Sequence, residues 1–276
     1  MTEQSIESLP LRIELLVSCM NQGAVKTLQF CKAKTDVLIV NQTSFEQVST
    51  FKFKDEKNIE HNCRYICTEE SGLSNSRNKA IAESTGDVLL FVDDDEEMVT
   101  GYAEIISEAF KMHPDADIIT FALNYSEKKF PTKEKRIGYL GALKSCSPQI
   151  AVKRTSIVDQ NIRFDPTMGS GTGNGGGEEN KFLFDCLKKK LKIYYVPNII
   201  ATIHKGESKW FSSFNKNFFL NRGYSTSKIL GRPLAWLYAF EFCIAKWPLY
   251  KHEMSFWYAL YYHIKGTFSL NRQRVD

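Results

Sequence analysis

Apolar positions along the chain fall into short continuous runs separated by amphipathic stretches, the alternation that builds a sheet with flanking helices. Ile13–Met20 and residues 36–40 read as buried strands, each closed by turn residues, Asn21-Gln22-Gly23 and Asn41-Gln42-Thr43. Residues 65–67 read as a short third strand. Ser71-Gly72-Leu73-Ser74-Asn75-Ser76 leads into a helix that runs to about Glu83, with Leu73, Ala80 and Ile81 inward and Ser74 or Asn75 as N-cap. Residues 88–92 form an uninterrupted apolar run of strand length, the pattern of a strand covered on both faces. Four such strands alternating with helical segments predict an α/β fold with a mainly parallel sheet, whose ligands bind beyond the carboxyl ends of the strands.

Further along, Tyr102–Met112 is amphipathic, residues 117–124 and 149–153 read as strands, and residues 156–165 as a short helix and a turn. Residues 178–190 carry Phe182, Leu183, Cys186 and Leu187 on one helical face. Residues 193–197 and 200–203 are strand-like, and His204 stands at the end of the second. The chain shows no internal repeat.

Chemistry concentrates at three places in this pattern. The buried strand at 88–92 ends in Asp93-Asp94-Asp95-Glu96-Glu97, five carboxylates that repel one another unless a cation offsets them. Asp93 and Asp95, two apart, point to one side of an extended chain, which fits a divalent metal site; a solvated acidic turn opening the next helix fits the same residues. Met168 to Gly177 holds six glycines in ten residues, too glycine-rich for regular structure and expected to be mobile when empty. Glu178-Glu179 follow directly at a helix start, where either a favourable helix-dipole contact or a general base under a closing loop accounts for them. His204 reads as a structural histidine or as a further ligand; with oxygen donors Mg2+ or Mn2+ suits the site, and the imidazole tilts it towards Mn2+.

Composition narrows the class. The seven cysteines are an odd number without a Cys-x-x-Cys pair, which argues against a disulfide framework or zinc site and for a reducing compartment. The start, Met-Thr-Glu-Gln-Ser-Ile-Glu, lacks the basic and apolar segments of a signal peptide. Net charge is +4, yet residues 205–276 alone hold eleven basic against four acidic residues and all four tryptophans. A basic, aromatic tail on a mildly acidic body points to an anionic surface as partner. Nucleic acid is not that partner, because the cations are scattered and no recognition module is present.

Read together, Gly72-Leu-Ser-Asn-Ser-Arg77-Asn78-Lys-Ala-Ile81, Gly86-Asp-Val-Leu-Leu-Phe-Val-Asp93-Asp94-Asp95, Gly177-Glu178-Glu179, Tyr194-Tyr-Val-Pro197 and His204 resemble family 2 glycosyltransferases of the GT-A fold, over roughly residues 11–205. The resemblance implies an inverting enzyme, a nucleotide-diphosphate sugar donor, expected to be a UDP-sugar, and a divalent metal. It implies that Asp95 binds the metal with Asp93 and His204, and that Asp93 contacts the ribose or donor sugar with Asp94 in support. It also implies that Arg77 and the Ser18-Cys19 strand end lie along the nucleotide. Where the family usually has an acidic residue to hold the base, this chain has Asn41-Gln42, and the usual Glu-Asp pair is Glu178-Glu179; position assigns the base to Glu179, with Glu178 as the fallback.

The segment after His204, with Trp210-Phe211, is similar to bacterial capsule and O-antigen transferases, which implies a lipid-linked glycan acceptor and lets Trp210 stack on a sugar. Two domains follow: a GT-A catalytic domain over 1–205 and a C-terminal helical, aromatic and basic extension over 206–276. Within the extension, two apolar stretches between Pro233 and Phe268 fall short of a membrane span and suit either a peripheral contact with the membrane surface or a homodimer partner. The expected location is cytoplasmic, peripheral at the inner face of a bacterial cytoplasmic membrane. The competing readings are a sugar-phosphate nucleotidyltransferase, which would need a lysine-containing phosphate loop that Ser18 to Ala24 lacks, and a non-catalytic nucleotide-sugar or carbohydrate-binding protein.

Overall fold

The computed structural model describes residues 11–126, 128–146, 149–174, 176–204 and 213–269. Its first half alternates strand and helix: β1 (Ile13–Met20), α1 (Ala24–Cys31), β2 (Asp36–Gln42), β3 (Gln47–Lys54), β4 (Glu60–Thr68), α2 (Leu73–Glu83), β5 (Val88–Asp93), β6 (Glu96–Met98) and α3 (Tyr102–Met112). Then come β7 (Ile118–Asn124), β8 (Lys135–Ile137), α4 (Tyr139–Ala142), β9 (Ile150–Lys153), α5 (Arg154–Val158), α6 (Glu178–Lys188) and β10 (Ile193–Ile203). Three helices finish the described chain: α7 (Lys216–Leu230), α8 (Arg232–Tyr250) and α9 (Phe256–Gly266).

The strands form one mixed sheet in the order β3-β4-β2-β1-β5-β9-β7-β10-β6, with β8 added on β10. The parallel part is β4-β2-β1-β5 together with the β7-β10 pair. The apolar runs of β1 and β5 lie side by side, with Leu15 opposite Leu90 and Ser18 opposite Asp93. Alternate residues serve opposite faces, as strand geometry requires. Leu16 and Phe91 enter the core beneath α2 and α6, whereas Leu15, Val17 and Leu90 enter the core with Tyr102 and Phe110 of α3.

Two details fix the end of the sheet away from the site. A Cβ on Gly86 would lie 2.6 Å from Cβ of Glu14, so only glycine lets β5 begin this close to β1. The buried Glu14 carboxylate accepts from the backbone N–H groups of Thr85 (2.7 Å) and Gly86 (2.8 Å) and from Arg64 (2.8 Å).

Several boundaries differ from the sequence reading. β3 is an added edge strand that pairs antiparallel with β4, and its alternating Val48, Thr50 and Lys52 against Phe51 and Phe53 carries the period-2 pattern in plain view. Glu96 and Glu97 do not open a helix. They lie in β6, paired antiparallel with residues 202 and 203 of β10, because strand pairing claims the backbone that an acidic helix start would otherwise use. The two strand-like stretches at 193–203 are one strand, irregular in register between Val196 and Ala201. The cap of α2 is Gly72, at φ 107°, rather than Ser74 or Asn75.

The last three helices pack as a unit on the α6 side. α7 and α9 cross at two glycines: a Cβ on Gly223 would fall 1.9 Å from the carbonyl oxygen of His263, and one on Gly266 would fall 2.1 Å from that of Leu220. Backbone therefore lies against backbone, as small residues at a helix crossing allow. α7 serves two cores, contributing Tyr224 and Ile229 to the sheet side and Phe219 to a cluster with Phe242, Tyr250 and Ala259. Among the described residues no helix is long and apolar enough to cross a membrane.

Candidate active site

The carboxyl ends of β1, β2 and β5, the start of α2, the glycine loop and the start of α6 meet at one place, and Arg77 is at its centre. The guanidinium is 1% exposed. Its Nη2 donates to Asp93 Oδ1 at 2.6 Å and its Nη1 to Glu178 Oε1 at 3.1 Å. One buried cation thus ties the acidic end of β5 to the acidic start of α6, two motifs separated by eighty-five residues of sequence. Burial opposes the charge, but the fields of Asp93 and Glu178 outweigh it and raise the guanidinium above its ordinary value. The ring of Phe164 lies 5.4 Å beneath. Asn78 fixes that ring by exchanging two hydrogen bonds with the Phe164 backbone, of 2.9 and 2.8 Å, which gives the adjacent Arg77-Asn78 a structural logic.

Glu178 and Glu179 divide in role. Glu178 is buried and spends one oxygen on Arg77. Glu179 is only partly covered, and loss of hydration followed by the neighbouring Glu178 charge pushes its carboxyl up to about 8, with Arg77 pulling the other way. The second oxygens of both are without hydrogen-bond partners among the described residues. A glutamate so placed holds its proton more tightly than the ordinary, fully ionised group and is poised to exchange it near neutral pH.

The glycine loop is a folded structure against α2. Leu73 N donates to Ser170 O (2.9 Å) and Ser74 Oγ to Met168 O (2.7 Å). The buried Asn174 closes the loop on itself, accepting from Gly169 N (3.2 Å) and donating to Thr167 O (3.2 Å). Gly169 shows why glycine is needed: at φ 95°, a Cβ would sit 3.2 Å from Glu178 Cδ and 3.3 Å from Ser74 Oγ. From below, Ser225 of α7 donates to Gly176 O (2.9 Å) and Tyr224 to Thr167 Oγ1 (2.7 Å).

On the strand side, Ser18 is buried and accepts from Ser76 Oγ at 3.1 Å. Cys19 is buried, with its thiol pushed up to about 12 by burial and then by Asp94. Asn41 is 2% exposed and its amide is committed to the protein: Oδ1 accepts from Gln22 N (3.1 Å) and Cys19 Sγ (3.4 Å), and Nδ2 donates to Tyr65 Oη (2.6 Å). Nδ2 also lies 3.9 Å from Cys67 Sγ, so both amide donors face the protein and Asn41 holds the turn after β1. Its neighbour Gln42 accepts from Gly72 N at 2.8 Å and anchors the start of α2.

The remaining acids show how a metal would fit. Asp93 faces Arg77, and the Asp95 carboxyl is raised by loss of hydration, then by Asp93 and Asp94. His204 N donates to Asp95 O (3.1 Å), which places the two residues together, while His204 Nε2 lies 2.7 Å from Glu97 Oε2. Among the described residues no three His, Cys, Asp or Glu side chains form a cage for an ion. The crowded strand-end carboxylates, whose repulsion a cation relieves, fit a divalent ion held by one or two carboxylates, with a diphosphate supplying further oxygens. Trp210 lies outside the described residues.

One buried acid at the site was missed from sequence. Glu96 is 1% exposed, both its oxygens lack partners among the described residues, and burial followed by Asp93 and Asp95 raises its carboxyl well above the ordinary range. The sequence carried no signal for it: Glu96 and Met98 are buried about the more open Glu97 only because β6 pairs with β10.

Fold and site together define an α/β protein whose acids gather beyond the carboxyl ends of its parallel strands, where such sheets bind ligands. Residues 13–172 match glycosyl transferase family 2, and the chain belongs to that family. No curated protein matches the chain in sequence. Among solved structures, S. aureus TarS 1-349 in complex with UDP-GlcNAc is similar with a TM-score of 0.59 and 14% identity, over 93% of this chain and 89% of that one. The same protein in complex with UDP gives 0.58 and 13% over the same shares. S. aureus TarS without that truncation gives 0.54 and 14%, over 86% of this chain and 44% of that one. At such identity the likeness establishes the fold, a GT-A-like mixed sheet with flanking helices.

Proposed function

We propose that the protein moves a hexose or N-acetylhexosamine, with inversion, from a UDP-sugar to a hydroxyl of a glycan acceptor that is carried on a lipid, in capsule, O-antigen or exopolysaccharide assembly. The observation that carries the reading is the Arg77 bridge, which sets the strand-end aspartates and the Glu178-Glu179 pair at one site under a glycine loop. The TarS structures in complex with UDP-GlcNAc and with UDP support the choice of donor class. Seven unpaired cysteines support a reducing compartment, the cytoplasm of a bacterium.

In this reading Glu179 takes the proton of the acceptor hydroxyl as that oxygen bonds to the anomeric carbon. The bond from that carbon to the diphosphate oxygen breaks, and its electron pair leaves with the nucleoside diphosphate. Asp95 and Asp93, with His204 beside them, would hold Mg2+ or Mn2+, which would supply positive charge to offset that of the departing diphosphate. Arg77 fixes Asp93 and Glu178 in mutual register at the nucleotide end of the site. Glu178 keeps the Arg77 contact and leaves Glu179 as the one acid of the pair free to exchange a proton.

The test is a panel of UDP-sugars with and without Mn2+, read first as thermal stabilisation and then as UDP release without acceptor. Metal-enhanced stabilisation by one donor and slow UDP release is the expected result. Binding without any release would favour a carbohydrate-binding protein instead.

A further inference from the structure

The two outer helices of the C-terminal unit leave a broad aromatic surface uncovered. Leu237, Phe240 and Ile244 recur along α8 at helical spacing, and Trp257, Tyr261 and Phe268 recur along α9 and just past its end. Leu237 is 68% exposed and Trp257 is 74% exposed. The rows join into one face: Phe256 packs 6.1 Å from both Phe240 and Trp247, and Trp236 donates from Nε1 to Thr267 Oγ1 (2.9 Å) at the other end. Exposed large apolar side chains gathered on one face, rather than scattered singly, mark a docking site.

Charge identifies what docks. α8 and α9 together hold one acidic side chain, Glu241, against Arg232, Lys246 and Lys265. The cations reach across the rings they border: Arg232 lies 5.1 Å over Phe268 and Lys265 lies 5.5 Å over Tyr261. That arrangement puts apolar stems on the aromatic surface and charged ends at its border, as side chains do at a lipid headgroup layer. Tryptophan and tyrosine, with an apolar body and a polar tip, suit the same layer. Glu241 lies in the α8 row, but Arg232 and Lys265 at the border leave the face net positive, so a second copy would meet it with like charge, and neither helix is long and apolar enough to cross a bilayer. We infer that the α8–α9 face lies flat on the surface of an anionic phospholipid bilayer, its aromatics in the headgroup region and Arg232 and Lys265 on lipid phosphates. The helical unit carries this inference without reference to donor or acceptor.

The experiment is flotation of the full chain with vesicles of phosphatidylcholine alone, or of phosphatidylcholine mixed with phosphatidylglycerol. Binding to the anionic vesicles should exceed binding to the neutral ones by at least about tenfold and weaken in high salt. Leu237→Asp with Trp257→Asp should abolish flotation, and Arg232→Glu with Lys265→Glu should weaken it at least roughly tenfold. All four sites are at the surface, so unfolding temperatures should stay close to the parent's; the cation pair keeps the test valid if the apolar pair misfolds. Equal flotation with both vesicle types, no flotation with either, or undiminished flotation of both double variants would overturn the inference. So would light scattering that shows a dimer dispersed by the same substitutions.

Discussion

At the scale of single residues the site rests on a division of labour among three charged groups. Arg77 is permanently charged and buried between two carboxylates, so its removal leaves both uncompensated. Arg77→Ala should cost about 3–5 kcal/mol of stability, read by denaturant unfolding. Glu179→Gln should lower transfer by roughly 10²–10⁴-fold while UDP affinity stays nearly unchanged, because only proton removal is lost. If activity survives that change and disappears in Glu178→Gln, the base is one residue earlier. The raised Glu179 carboxyl also predicts that kcat/KM climbs with pH towards a plateau above about 8, as the unprotonated form becomes dominant.

At the scale of elements, the crossing of α7 and α9 sets backbone against backbone. Gly223→Ala puts a methyl group into the His263 carbonyl and forces the helices apart. The expected cost is roughly 1–3 kcal/mol or more, with faster amide exchange along α9 while the strands of the sheet remain protected. Elements with a local signature are legible in the sequence itself: the double-sided apolar runs of β1, β2 and β5, and the amphipathic α3 and α6. β6 is not, because three residues hold too short a pattern and their acidic character mimics a helix start until β10 arrives to pair with them. The site shows the same limit. Its acids are visible as motifs, but the Arg77 bridge is a contact across the fold, and the saturation of Asn41 depends on Gln22 and Tyr65 arriving from two other elements. The glycine loop reads as a flexible lid, yet Asn174 and Ser74 supply hydrogen bonds that composition cannot reveal.

For the whole molecule, stability should depend on pH in an unusual direction for a carboxylate. The folded Glu179 carboxyl titrates near 8 and the unfolded one near 4.5, so between those values the folded protein holds a proton that the unfolded chain has released. Stability from this group is fully present below about 4.5 and is lost as pH rises through about 8. The buried Glu96 adds to the same trend. Unfolding temperatures measured from pH 5 to pH 8 should therefore fall more steeply in the parent than in Glu179→Gln, other groups being common to both.

The hydrogen bonds from Ser225 to the Gly176 carbonyl and from Tyr224 to Thr167 bear on how the chain is to be cut. A shortened protein ending near residue 205 would contain every strand among the described residues, every acid of the site and the whole span matched to the family. It would still lack the floor on which the glycine loop is built, two residues before Glu178. The helices at the end of the chain are thus a wall of the reaction chamber as well as its outer skin, and an inactive fragment would say nothing against the residues it retains.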